Sequence, residues 1–378
     1  MRIVIAVDKF KGSLTGTEVA AALTEGIASA GADIQVRTVP VADGGEGTVD
    51  AALDAGYTAR SVTVTGPTGA PVDARYAVRD GRAIVELAAA SGIGLLSDGA
   101  LSPLTATSRG TGELIRAALD DGCTQIVLGV GGSASTDGGA GMLQALGVRL
   151  RDAAGTELGP GGAALARLAH VDVSGLDARV NQAEFVLASD VDNPLLGPRG
   201  AAAVFAPQKG ATPTEVQTLE AALARWARLL QAQPGVREAA EEPGAGAAGG
   251  VGFAALAVFG ARGEPGAELV QRLTGLSDEI ARADLVVTGE GSLDEQSLAG
   301  KAPIGVARTA GAAGVSVVAV CGRTTLSAAQ LRVVGLRRVY AVTDLASDGA
   351  SAIANAREYL VQIGRRLALD AIAEHAGR

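Results

Sequence analysis

Histidine is almost missing from this chain, with two in 378 residues, His170 and His375. That argues against hydrolysis through a Ser–His–acid relay, which needs an imidazole to carry the proton. Cysteine is equally scarce: Cys123 and Cys321 lie far apart, and neither has a CxxC partner. A His/Cys metal site therefore has too few ligands, and the cysteine usage points to a reducing compartment. Basic charge is in deficit too, with a net charge of −9 and a pI near 4.9. Nucleic acid needs a basic face, so it is not an expected partner. No run approaches the roughly 18 apolar residues that span a bilayer. The chain starts directly with a strand pattern, Arg2–Val7, without the apolar region and cleavage site of a signal peptide, so the expected location is cytoplasmic. Lysine is the scarcest cation: of 32 basic residues only Lys9, Lys11, Lys209 and Lys301 are lysines, and all four lie in or beside Gly-rich stretches. A chain that otherwise uses arginine keeps lysine where a compact, hydrated point charge matters, as at a phosphate.

What is abundant is glycine, 53 residues, in a chain that is 48% hydrophobic, the composition of a Gly/Ala-rich α/β enzyme. The length suits two domains with a sizeable core. The organising stretch is GVGGSASTDGGAGMLQALG, Gly129 to Gly147. It follows an apolar run, Ile126–Val130, that reads as a buried strand, and it opens into a helical pattern near Ala140. Glycine lets backbone N–H groups turn toward a ligand without a Cβ in the way, and a helix start adds unpaired N–H groups and the positive end of a dipole. The combination suits an anion such as a phosphate.

Taken in order, Arg2–Val7 is a strand, DKFKGSLTG a polar loop, and Thr15 with Glu18 a capping box for a helix through Ala30. A second strand over 34–40, the loop ADGGEGT and a short helix ending at Gly56 repeat that grammar, which predicts a parallel sheet with polar groups at its carboxyl edge. From Ser61 the pattern becomes antiparallel: Val62–Val64, a GPTG turn, Val72–Val78 and Ile84–Leu87. Thr212, Pro213 and Glu215 give an N-cap, an N1 proline and a capping box to a helix reaching about Gln231. Strand–loop–helix units return from Asp284 onward. The expected architecture is thus an α/β fold in two domains: a parallel-sheet, Rossmann- or flavodoxin-like domain from 1–60 and 283–378, and a mixed α/β domain inserted over 61–282.

The polar residues at strand ends are carboxylates, small hydroxyls and a few cations. Such loops beside Gly-rich anion cradles suit magnesium and a polyphosphate. Phosphoryl transfer needs a phosphate cradle, cations to offset developing charge, and one carboxylate to take the acceptor's proton. SDVDNPLLG offers Asp190 and Asp192, two apart and so on one side of extended backbone, with Asn193-Pro194 marking a turn. Either acid is a candidate base or metal ligand; a local Asx turn is the alternative. Asp43 and Glu46, and likewise Glu290 and Asp294, read equally well as site acids or helix-capping acids, and for Asp294 the capping role is favoured. GAGAAG, 244–249, matches GxGxxG but follows REAAEEP rather than a strand, so a dinucleotide-binding oxidoreductase is the weaker reading. Walker A is absent, because Glu295 stands where its first glycine belongs.

Together DKFKGSLTGTEVA, PVADGGEGT, GVGGSASTDGGAGMLQALG, SDVDNPLLGPRGAAAVFAPQKGAT, GAGAAGGVGFA and VVTGEGSLDEQSLAGKAPIGVA resemble, in order and spacing, the bacterial class I glycerate kinase family over nearly the whole chain. The resemblance implies ATP-dependent phosphorylation of D-glycerate with Mg²⁺, 2-phosphoglycerate as product, and an active site in the cleft between two domains that close around both substrates. It implies Asp190 as the proton-accepting carboxylate and Lys11 as a catalytic cation. Ser13, Asp43, Gly44, Gly45, Glu46 and Arg109 are implied at the substrate, and Gly131, Gly132, Ser133, Asn193, Lys209 and Glu290 at the nucleotide phosphates, with Asp192 at the metal. Two positions depart from the family's pattern. Position 9 is Lys where a small residue, commonly Ser, is usual, and position 109 is Arg where an aromatic, often Tyr, is expected; Arg109 either adds a cation for the glycerate carboxylate or is neutral. The alternatives are phosphorylation at C3 and a non-catalytic nucleotide or metabolite sensor. The partners expected are small molecules, with a homodimer as the candidate assembly.

Overall fold

The computed structural model describes residues 1–10, 12–31, 33–42, 44–96, 100–295, 297–299 and 302–376. By contact these fall into two units, Met1–Ala42 with Val270–Arg378, and Asp43–Leu269.

The first unit is built on a five-stranded parallel sheet. Its strands are β1 (Arg2–Val7), β2 (Gln35–Thr38), β11 (Leu285–Leu293), β12 (Ser316–Thr324) and β13 (Leu336–Ala341), in the spatial order β13-β12-β11-β1-β2. The run IVIAV in β1 has no polar alternation because both of its faces are covered. Ile3, Ile5 and Val7 pack into one apolar cluster with the helices Gly16–Ala28 and Ala356–Ala376, while Val4 and Ala6 pack into another with Leu276, Ile280 and the helix Ala302–Ala312. Thr15 caps the first helix as its spacing predicts: its hydroxyl accepts from Glu18 N and the Glu18 carboxylate accepts from Thr15 N.

The second unit carries a six-stranded mixed sheet: β3 (Thr58–Thr65), β4 (Pro71–Arg79), β5 (Arg82–Glu86), β6 (Gln125–Gly129), β9 (Glu184–Ala188) and β10 (Arg262–Glu264), in the order β10-β9-β6-β5-β4-β3. β3, β4 and β5 pair antiparallel, and β5, β6, β9 and β10 pair parallel. A small hairpin, β7 (Arg149–Arg151) with β8 (His170–Asp172), lies apart. The helix Pro213–Gln231 starts on Thr212 with the predicted capping box and buries Leu219, Leu223, Trp226 and Leu230 along one stripe.

The turning points between the units lie at 42/43 and 269/270 rather than near 60 and 282. The helix Thr48–Asp54 packs on β4 and β5 of the second sheet, so the strand–loop–helix unit that opens with β2 is shared between units. At the return, Leu276 and Ile280 already belong to the apolar cluster of Val4 and Val286. A change of strand texture marks where antiparallel pairing starts, which is not where the chain changes core.

Gly26 and Gly364 set how closely the two long helices of the first unit approach. A Cβ on Gly26 would stand 2.0 Å from the Val361 carbonyl oxygen, and one on Gly364 2.4 Å from that of Leu23. Neither clash can be relieved by a side-chain rotation, since both meet backbone. Gly26→Ala is expected to destabilise by about 1–3 kcal/mol, the usual range for overpacking, read as a lowered thermal midpoint; an unchanged midpoint would contradict this packing.

Candidate active site

Four residues form a register row across the parallel part of the second sheet: Glu86 of β5, Gly129 of β6, Ala188 of β9 and Glu264 of β10. The row is the carboxyl edge, where open α/β sheets place their ligands. No sequence motif marks two acids of this edge, Glu86 and Glu264. Glu86 is buried at the end of the apolar run of β5, and its carboxylate accepts from Val49 N at 2.6 Å, in the first turn of the helix Thr48–Asp54. Glu264 is paired with Arg262 at 3.2 Å. A lone acid closing a buried strand was the available signal for Glu86; three residues of β10 offer none for Glu264.

The loop Gly44–Gly47 lies directly over this row, and it can do so because the residues in contact are glycines. A Cβ on Gly129 would stand 2.4 Å from Gly44 O, one on Gly131 2.6 Å from Gly45 Cα, and one on Gly44 2.9 Å from Gly266 Cα. ADGGEGT and GVGGSAST are therefore one backbone-to-backbone construction. Gly47, at φ 102°, takes the N-cap position of the helix that follows. Glu46 thus precedes the helix, exposed, and is not a first-turn acid.

The loop from Gly131 to Gly139 is fastened at each side. Ile93 N donates to Gly132 O and Ala134 N to Ser91 O. Trp226 Nε1 donates to Gly138 O at 2.9 Å, and Gly138 N to Gly249 O at 2.9 Å. Asp137, 1% exposed, accepts from Ser108 N (2.8 Å), Ser108 Oγ (2.9 Å), Gly139 N (3.1 Å) and Gly141 N (3.3 Å). It thereby serves the starts of two helices, Arg109–Asp120 and Ala140–Ala145. Burial pushes this carboxyl above its usual range, against hydrogen bonds that favour the anion. The helix start near Ala140, read from sequence as open to a phosphate, is thus occupied by the chain's own carboxylate. The open donors lie earlier: among the described residues, the backbone N–H groups of Gly131, Gly132 and Ser133 donate to no acceptor. Gly131 is half-buried and Gly132 exposed, so this part of the loop faces outward.

Lys209 enters from the opposite side. It is 3% exposed, and its ammonium donates to Ser133 Oγ at 2.7 Å and to the Ser135 carbonyl. Burial lowers its pKa to about 7, with Asp137 acting in the other direction.

Asp190 follows β9 at the carboxyl edge, where its Oδ1 accepts from Ala267 N at 3.4 Å. Asp192, exposed, is bridged to Arg199 at 2.9 Å, and Asn193 Nδ2 donates to Arg199 O at 2.7 Å, so the two acids of SDVD have different surroundings. Arg109 pairs with Glu113 at 3.0 Å on the first turns of the helix Arg109–Asp120, and Glu113 in turn accepts from Thr65 N. In the first unit, Ser13 is exposed, with its hydroxyl on Ile353 O at 3.3 Å. Glu290 lies buried inside β11, paired with Cys321, because the ladder with β12 continues as far as Leu293. Lys11, Asp43 and Lys301 lie outside the described residues. GAGAAG leads into the helix Ala247–Val258 through three left-handed residues, Ala248, Gly249 and Gly250, with Gly249 against the Ser135 carbonyl.

The profile of a family described as the glycerate kinase family matches residues 3–371. A glycerate kinase of Bacillus subtilis (strain 168) is 44% identical over 372 residues, 97% of each chain. A glycerate 2-kinase of Escherichia coli (strain K12) is 43% identical over 371 residues, again 97% of each. A crystal structure from Salmonella typhimurium LT2, assigned to glycerate kinase 2, superposes with a TM-score of 0.83 at 42% identity, covering 100% of this chain and 99% of that one.

Asp137→Ala removes the acceptor of five hydrogen bonds, from Thr107 Oγ1, Ser108 N, Ser108 Oγ, Gly139 N and Gly141 N, and a charge that acts on Lys209. It is expected to destabilise by about 3–5 kcal/mol, as for a buried charge left without its counterpart, measured by denaturant unfolding; a change below about 1 kcal/mol would show that the carboxylate does not hold this loop.

Proposed function

The chain belongs to the glycerate kinase family, and on that premise we propose that it transfers the γ-phosphoryl group of ATP to the C2 hydroxyl of D-glycerate, giving 2-phospho-D-glycerate and ADP. The observation that carries this reading is the open row of N–H groups at Gly131, Gly132 and Ser133, in a loop fixed on its other sides. Such a row suits the oxygens of a polyphosphate, and a loop already ordered spends no conformational entropy when they arrive.

In this reading Asp190 accepts the proton of the attacking hydroxyl. It stands at the end of a central parallel strand, beside the Gly44–Gly47 loop that packs on Ala188. Gly44, Gly45 and Glu46 contribute the glycerate side, with Arg109 as a cation for the substrate carboxylate. Asn193 orders the loop that carries Asp190, through its bond to Arg199 O. Lys11, Ser13, Asp43 and Glu290 are proposed at the same reaction on the family resemblance alone.

The residues fit a magnesium ion of the kind that travels with ATP. Among the described residues no group of three or more His, Cys, Asp or Glu could hold a metal by itself. A magnesium ion bound mainly through phosphate needs only one or two carboxylates, one of which Asp192 would supply. When bound, it neutralises charge developing on the phosphoryl oxygens.

The test is ATP-dependent turnover of D-glycerate with Mg²⁺, with the product identified by phosphorus NMR. A 2-phosphoglycerate signal is expected. A 3-phosphoglycerate signal would keep the kinase and overturn the C2 assignment, and ATP binding without turnover would point to a sensor. In an active enzyme Asp190→Asn is expected to lower kcat by about 10² or more, the contribution of a general base; a drop below tenfold with unchanged KM would remove Asp190 from that role.

A further inference from the structure

Lys209 is a buried lysine whose ammonium ends on the loop that, in the reading above, receives the nucleotide phosphates. The short helical turn Pro207–Lys209, fixed by Lys209 N on Ala206 O and Gly210 N on Pro207 O, delivers the side chain to the interior side of the loop. There its Nζ holds Ser133 through the hydroxyl and Ser135 through the carbonyl, spanning three residues of the loop. The charged group that bears on it is Asp137, itself committed to Ser108, Gly139 and Gly141.

We propose that Lys209 is a positioning residue for phosphoryl transfer: from beneath, it fixes the conformation in which Gly131, Gly132 and Ser133 present their N–H groups, and places a positive charge behind them. This rests on the proposed reading of that loop as the phosphate site. It differs from a direct phosphate ligand, because Ser133 stands between the ammonium and the outward face. Burial alone disfavours the charged amine, so a polyanion arriving on the far side of Ser133 favours its protonated form. Nucleotide binding and protonation of Lys209 are then linked, and nucleotide affinity falls as pH rises through neutrality.

The experiment compares wild type with Lys209→Met, which keeps the length of the side chain and removes its charge. Binding of ATP at saturating Mg²⁺ is measured by calorimetry from pH 6 to 9, alongside turnover of D-glycerate. The expected result is at least tenfold weaker ATP binding in K209M at pH 6, converging with wild type toward pH 9, with a native circular dichroism spectrum. Binding and turnover within twofold of wild type at every pH would overturn the proposal. If K209M does not fold, the wild-type profile decides: affinity must fall between pH 6 and 9, and a flat or rising profile overturns it. Wild type that neither binds ATP nor turns over glycerate would instead sink the phosphate reading of the loop.

Discussion

A single buried carboxylate holds the candidate site in shape. Asp137 gathers N–H groups from the starts of two helices and a hydroxyl from Ser108, and that hydroxyl also accepts from Met142 N at 3.0 Å. Removing such a charge from water is unfavourable by itself, so it persists only where donors converge on it. Here the donors are the orphan N–H groups that every helix start must place somewhere. The glycines on either side follow from the same constraint. Gly138 and Gly139 adopt φ of 65° and 74°, and Cβ atoms there would meet Trp226 and Ala254 at 2.5 Å.

Much of the fold is legible in residues taken a few at a time. Capping boxes at Thr15 and Thr212 place two helices because hydroxyl and carboxylate act within four residues of each other. The apolar runs of β1, β6 and β9 read as buried strands because both faces are covered. What is not legible depends on contacts distant in sequence. Nothing local says that the helix Thr48–Asp54 leaves the core of β1 and β2 for that of β4 and β5, since any apolar stripe fits either. Glu290 looks like a loop acid until β12 is seen to extend the ladder beside it.

The candidate site divides in the same way. Glycine clusters announce that backbone approaches something closely, and the motifs at 44–47 and 129–139 do so. Sequence does not say that what they approach is each other. A helix start likewise announces affinity for an anion without naming the anion, and here Asp137 is that anion for the helix at Ala140. Lys209 is distinguished in sequence by lysine's rarity in this chain and by its place in PQKGAT; its burial and its bonds to Ser133 and Ser135 show that the side chain is directed inward, to the loop.

The placing of β1 has a consequence for how the chain is made. β1 pairs with β2 on one side, but its other neighbour is β11, whose Leu285 lies opposite Ile3. The helix Gly16–Ala28 likewise packs against Ala356–Ala376. In synthesis, residues 1–42 precede β11 and the helix Ala356–Ala376, and until those are made one hydrogen-bonding edge of β1 and much of the apolar surface of this segment stay uncovered. The second unit, by contrast, is continuous in sequence from Asp43 to Leu269 and has all its strands before β11 is made. The segment 1–42 is thus made before the second unit and completed only after it. Until then it exposes a bare strand edge, the kind of surface that chaperones cover and that pairs with a neighbouring chain when they do not.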